Sequence, residues 1–205
     1  MESGSSATLD ADAADASNLF RVIDKDNVHG LNLAVPESAQ AVIKPWHERA
    51  DTAVFADSGV DDQMIIHVPF TESVRLRSVL LKLGAGESTP RTLRIFANHA
   101  TIVDFADAER TRPQLDIRLL EGEVDVVEYP LRVAAFASVT SLSLFFGDAV
   151  GEETSRVYYL GFRGDLRNPR KDANSKLDIP AANAADAPLV DRVSEKTAGA
   201  QTTAR

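Results

Sequence analysis

The sequence predicts an all-β fold, an antiparallel β-sandwich flanked by two disordered tails. Three observations carry this reading. Apolar residues recur with period two in one segment after another through the middle of the chain, which marks strands with one buried face. Clusters of Gly, Pro and charged residues separate those segments at short intervals. No long helical pattern intervenes, so antiparallel pairing is favoured over alternating β/α units.

The elements follow in chain order. Residues 1–17 are small, polar and acidic, with four acids and no base, and are expected to be a disordered tail. The segment SNLFRVIDKDNVHGLNL (17–33) opens as a strand or short helix and is expected to turn at Gly30. Residues 36–62 are polar around a lone Trp46, which suggests loops and short 3₁₀ pieces. In MIIHVPF (64–70), alternation puts Met64, Ile66, Val68 and Phe70 on the core side. His67 then faces outward with Ile65 and Pro69. Because Pro69 cannot donate to a ladder, an edge strand or a strand end is expected there.

VRLRSVLLKL (74–83) and VYYLGF (157–162) carry apolar residues on both faces and read as more buried. GAGES (84–88) reads as a hairpin loop. LRIFA (93–97) sets Leu93, Ile95 and Ala97 against Arg94 and Phe96. LDIRL (115–119) sets Leu115, Ile117 and Leu119 against Asp116 and Arg118, and SLSLFF (141–146) alternates in the same way. Residues 169–205 are rich in Ala, Asp, Ser and Thr and are expected to be a flexible C-terminal tail.

The totals bound the function. One domain over residues 18–168 is long enough to bury about two-thirds of its unfolded surface. A net charge of −9 lacks the basic field that nucleic acid or an anionic membrane needs. No cysteine is present, which removes disulfides, thiolate nucleophiles and cysteine metal sites. No apolar run approaches the ~20 residues of a spanning helix. The N-terminus shows no basic stretch followed by an apolar one, so a secretory signal is not expected.

Candidate chemistry is sparse. His29, His47, His67 and His99 occupy no metal-ligand spacing. GAGES lacks the third glycine of a phosphate loop, and Pro90 and a strand pattern follow it where such a loop needs a helix. DFADAE (104–109) groups three carboxylates, but their order is not that of a calcium loop. A solvated acidic loop is the simpler reading. RGDLRNPRK (163–171) reads as a solubilising exit from the last strand. No catalytic residue, cofactor or metal is therefore expected.

The chain resembles the PITH domain family. The blocks that carry the resemblance run in order from NLFRVIDKDNVHGLN (18–32) and KPWHERAD (44–51) through DDQMIIHVPF (61–70), VRLRSVLLKL (74–83), TPRTLRIFANH (89–99), DFADAE (104–109) and EYPLR (128–132). FASVTSLSLFFGD (136–148) and TSRVYYLGFRGDL (154–166) complete them. The resemblance implies a jelly-roll sandwich of the galactose-binding-like type. Without a Cys-x-x-Cys motif, the redox activity of the thioredoxin-fused members is not implied. What is implied is a non-enzymatic, monomeric docking module, cytoplasmic and also nuclear, whose partner is the 26S proteasome regulatory particle or its adaptors. The alternative is a small-ligand or carbohydrate-binding sandwich, by fold analogy alone.

Three residues are candidates for partner contact. Trp46 and Arg49 lie in a Pro-flanked loop, and Trp and Arg are the types most enriched in interface hot spots. Arg163 ends the last strand pattern. The competing readings are structural: Trp46 plugs the core, Arg49 pairs with a nearby acid, and Arg163 pairs with Asp165 or another acid.

Overall fold

The computed structural model describes residues 17–99, 101–151 and 153–167. The expected tails, 1–17 and 169–205, lie outside these residues except for Ser17. Nine strands are described: β1 (His29–Leu31), β2 (Ala56–Asp57), β3 (Met64–Lys82), β4 (Pro90–Ala97), β5 (Leu115–Arg118), β6 (Val127–Pro130), β7 (Val139–Ala149), β8 (Arg156–Val157) and β9 (Tyr159–Leu166). Two short helices accompany them, α1 (Ser38–Ala41) and α2 (Phe105–Arg110). Every pairing between these strands is antiparallel.

β3 organises the rest. Its 19 residues would span roughly 60 Å if straight, far beyond an ordinary strand, so it bends and serves two layers. Residues Met64–Pro69 pair with β7, and Ile65–His67 also pair with β1 on the other side. β7 continues to β4 and β5. Past a register shift between Pro69 and Val74, β7 pairs once more, at Val74, and β3 takes new neighbours. Val74–Lys82 pair with β9, and Ser78–Leu81 pair with β6.

The bend folds the two halves over one core. Met64, Ile66 and Val68 from the first half meet Val79 and Leu81 from the second, with Leu144 and Phe146 of β7 and Leu160 and Phe162 of β9. A second irregularity lies between Leu76 and Ser78. Arg77 is the extra residue of a bulge, and a one-residue insertion exchanges the faces of a strand. Before it the core residues are Val74 and Leu76; after it they are Val79 and Leu81. Ser78, Leu80 and Lys82 are thereby turned to the outer face. Beside the sandwich, β2 and β8 form a small ribbon. Two guanidinium nitrogens of Arg156 bond Asp57 at 2.6 Å, beneath the Phe55 ring.

Four local expectations are corrected. Pro69 is not at an edge or a strand end. It sits inside β3, paired with Ser141 of β7, and on its other side its carbonyl accepts the Asp24 N–H at 3.0 Å. Gly30 is not a turn; it lies in β1, where a Cβ would stand 2.3 Å from Leu33. The chain turns instead at Asn32, whose φ is +54°. GAGES is not a hairpin loop, because β3 and β4 do not pair; β7 separates them. DFADAE is not a free loop. Asp104 caps α2 by accepting the Asp107 N–H at 2.7 Å, a common way to satisfy a first-turn amide.

That helix covers the outer face of the first sheet. Ile65, Phe96 and Phe145 pack there with Val103 and Ala108 as a second apolar cluster. Phe105 meets Phe145 edge-on at 6.3 Å. The alternation places Ile65 on the outer face and Phe96 on the side opposite Leu93 and Ile95, as observed, but that outer face is dry.

Truncation of the shared core should be costly. Phe162, with no exposed surface, is expected to lose about 3–5 kcal/mol on mutation to Ala. Exposed Arg75 on the neighbouring strand should lose under about 0.5 kcal/mol on the same change. Urea unfolding of both variants checks this.

Candidate functional site

The outer face of the second sheet carries a polar cluster that the bulge in β3 makes possible. Cross-strand register sets Lys82 opposite Tyr159, Leu80 opposite Gly161, and Ser78 opposite Arg163. On the other side, β6 places Glu128 opposite Leu80. Glu128 binds both neighbours, accepting from the Ser78 hydroxyl at 2.5 Å and from Arg163 Nη1 at 2.5 Å. Gly161 leaves room for the Tyr159 phenol, since a Cβ there would stand 2.5 Å from its hydroxyl.

A 3₁₀ turn, Trp46–Glu48, lies over this face. Pro45 enters it in an extended conformation, and buried Lys44 anchors its base. The Lys44 ammonium donates to the carbonyls of Asp51 and Val54 and to the Asp51 carboxylate, at 2.9–3.1 Å. The Ala53 backbone N–H, helped by Lys44, holds the Asp51 carboxyl below its ordinary value.

Trp46, Arg49 and Arg163, widely separated in sequence, come together here. The Arg49 guanidinium lies 4.1 Å from the Trp46 ring centre and that of Arg163 lies 5.2 Å from it. Tyr159 meets the indole edge-on at 6.4 Å. Trp46 is half-buried, so it neither plugs the core nor stands free. Arg49 donates to the Trp46 carbonyl at 2.8 Å and has no ion pair among the described residues. Arg163 pairs with Glu128, whereas Asp165 pairs with Arg77 at 2.7 Å.

The cluster is incompletely satisfied. Arg163 Nε, Asn18 Nδ2 and the Tyr159 hydroxyl are buried with no hydrogen-bond partner among the described residues. The Asn18 amide lies near the phenol, but not in hydrogen-bonding geometry. Burial pushes the Tyr159 phenol up, against the influence of Asn18, Arg49 and Arg163. Beside the indole opens a cleft of about 330 Å³ lined by Trp46, Arg49, Ala50, Lys82, Asp125 and Val126. Groups of this kind bind and orient; the one hydroxyl set against a carboxylate, Ser78 on Glu128, is buried, and Arg163 holds that carboxylate. Trp46, Arg49 and Arg163 were legible as residue types. Lys82, Tyr159 and Glu128 were not, because their common face follows from the bulge.

Elsewhere the histidines disperse, with one exception. His47 is exposed beside Glu48, and the His99 ring bonds the Thr101 carbonyl. His29 and His67 face each other across β1 and β3 with ring centres 5.0 Å apart. His67 Nδ1 lies 3.0 Å from the Ser143 hydroxyl on β7. Among the described residues no three His, Cys, Asp or Glu groups could hold a metal.

His67 is half-buried rather than freely exposed. Burial, with His29 alongside, lowers its pKa from 6.5 to about 4. The unfolded chain takes up a proton near pH 6.5 and the folded chain only near 4. Stability is therefore lost progressively as pH falls between these values, and His67 imposes no penalty above them. The variant His67→Gln should melt with less loss than the wild type on going from about pH 7 to about pH 4. Parallel melting curves test this.

Both the sequence and the fold have known relatives. The PITH domain matches residues 10–181. PITH domain-containing protein 1 of Danio rerio is 32% identical over 169 residues, covering 82% of this chain and 80% of that protein. The Homo sapiens protein of the same name is 30% identical, covering 83% and 81%. These names describe a domain and no reaction. Among solved structures, the CBM32-1 and CBM32-2 domains of Clostridium perfringens ZmpB superpose with a TM-score of 0.53 at 11% identity, over 78% of this chain and 39% of that one. This likeness shows the fold, a galactose-binding-like jelly roll. With a domain match that spans most of its length and relatives that agree with it, the chain belongs to the PITH domain family.

Proposed function

We propose that this protein is a non-catalytic interaction module that docks on the 26S proteasome regulatory particle or its adaptors. The observation that carries the docking reading is the convergence of Trp46, Arg49 and Arg163 on one rigid sheet face. Aromatic and guanidinium groups of this kind dominate binding energy when a partner excludes water from them. The choice of the proteasome rests on the family resemblance, which also suggests action in the cytoplasm and nucleus. A monomer suffices for it. No helix of the described residues is long and apolar enough to cross a membrane.

A carbohydrate site is the less favoured reading. Stacking a sugar needs an open aromatic face, and two guanidiniums already lie over Trp46.

The purified protein is expected to co-sediment with 26S particles at low salt. The variant Trp46→Ala should lose most of that association while retaining the cooperative melting of a folded domain. A wild-type chain that stays at the top of the gradient overturns proteasome docking.

A further inference from the structure

We infer that the cleft beside Trp46 binds an acidic segment of a protein partner, taking a carboxylate between Arg49 and Lys82. The inference rests on the docking reading above and names the chemistry that the cleft selects.

The charges around the cleft are unevenly matched. Lys44 is neutralised by Asp51. Arg163 is held by Glu128 through Nη1, which leaves its buried Nε unpartnered among the described residues. Arg49 and Lys82 both line the cleft, and neither has an ion pair among the described residues. Lys82 is 8% exposed and donates to the Ala50 carbonyl at 3.2 Å. An ammonium buried against one carbonyl is far from fully solvated, so a carboxylate reaching it gains more than it would at an open surface.

Two carboxylates oppose the incoming one: Asp51, shared between Lys44 and the more distant Lys82, and Asp125, which lines the same cleft with no ion pair among the described residues. Asp125 stands on the exposed 121–125 segment, where water screens it more than the two cations. The apolar lining comes from Trp46, Ala50 and Val126. A cleft of about 330 Å³ accommodates few side chains, which suits an acidic residue beside an apolar one. The chain's net charge of −9 repels polyanions at long range. Selection therefore rests on short contacts with a carboxylate, not on a broad basic field.

The chain has a single tryptophan, so its emission reports on the cleft directly. The probe is a short peptide of Glu and Leu, acetylated and amidated, with the same peptide carrying Gln in place of Glu as control. Titration with the Glu peptide should change Trp46 emission saturably, and the Gln peptide should not. Arg49→Gln is expected to weaken binding by at least about tenfold, as for loss of a charge-assisted hydrogen bond. Asp125→Asn, on the exposed rim, should tighten it by roughly threefold. Lys82→Met keeps the buried stem and should weaken binding in a chain that still melts cooperatively. Equal binding of both peptides, or affinities unmoved by Arg49→Gln and Asp125→Asn, overturns the inference. Failure of the peptide to bind a chain that still co-sediments with 26S particles overturns the acidic ligand alone. Peptide binding without co-sedimentation overturns the proteasome reading alone.

Discussion

Everything in this domain depends on the main-chain hydrogen bonding of one bent strand. β3 gives its first residues to the sheet of β1 and β7 and its last to that of β9 and β6. A strand that stayed straight would leave half its ladder groups unpaired, which is costly away from water. The exchange of partners along the strand solves this, with β7 pairing as far as Val74 and β9 from Val74 onward. The two layers are thus held face to face by covalent continuity as well as by the core between them.

The candidate site is a consequence of the same strand. Had Arg77 not been accommodated as a bulge, the parity of residues 64–76 would have carried Ser78, Leu80 and Lys82 into the core. Instead they face outward, opposite Arg163, Gly161 and Tyr159. The turn that carries Trp46 closes over them, anchored by the Lys44 ammonium. Both outer faces of the sandwich are covered, by different chemistry. α2 seals an apolar patch over Ile65 and Phe145. The Trp46 turn covers buried polar groups and leaves several of them unpaired among the described residues. The first arrangement stabilises; the second is suited to recognition.

Strand content was legible because alternation is local. The faces of Met64–Phe70, Leu93–Ala97 and Leu115–Leu119 agree with the alternating pattern, and so does the separation of Leu142, Leu144 and Phe146 from Ser141 and Ser143. Short or irregular features were less legible. α2 spans six residues, too few for a helical period to emerge, although Asp104 three residues before Asp107 is a capping signal. Gly30 reads as a turn because glycine usually marks one; here it serves the close approach of Leu33 to β1.

By itself, the sequence determined the class of fold, the alternating faces of most strands, the absence of thiol chemistry and the residue types suited to an interface. These depend on composition and on the two-residue pleat, which neighbouring residues set. The tertiary structure alone decided which strands are neighbours, that β3 spans both sheets, and that Trp46 and Arg49 meet Arg163. Those outcomes depend on long-range register. A single extra residue at Arg77 reverses the faces of the strand beyond it, and only pairing with β9 reveals the reversal.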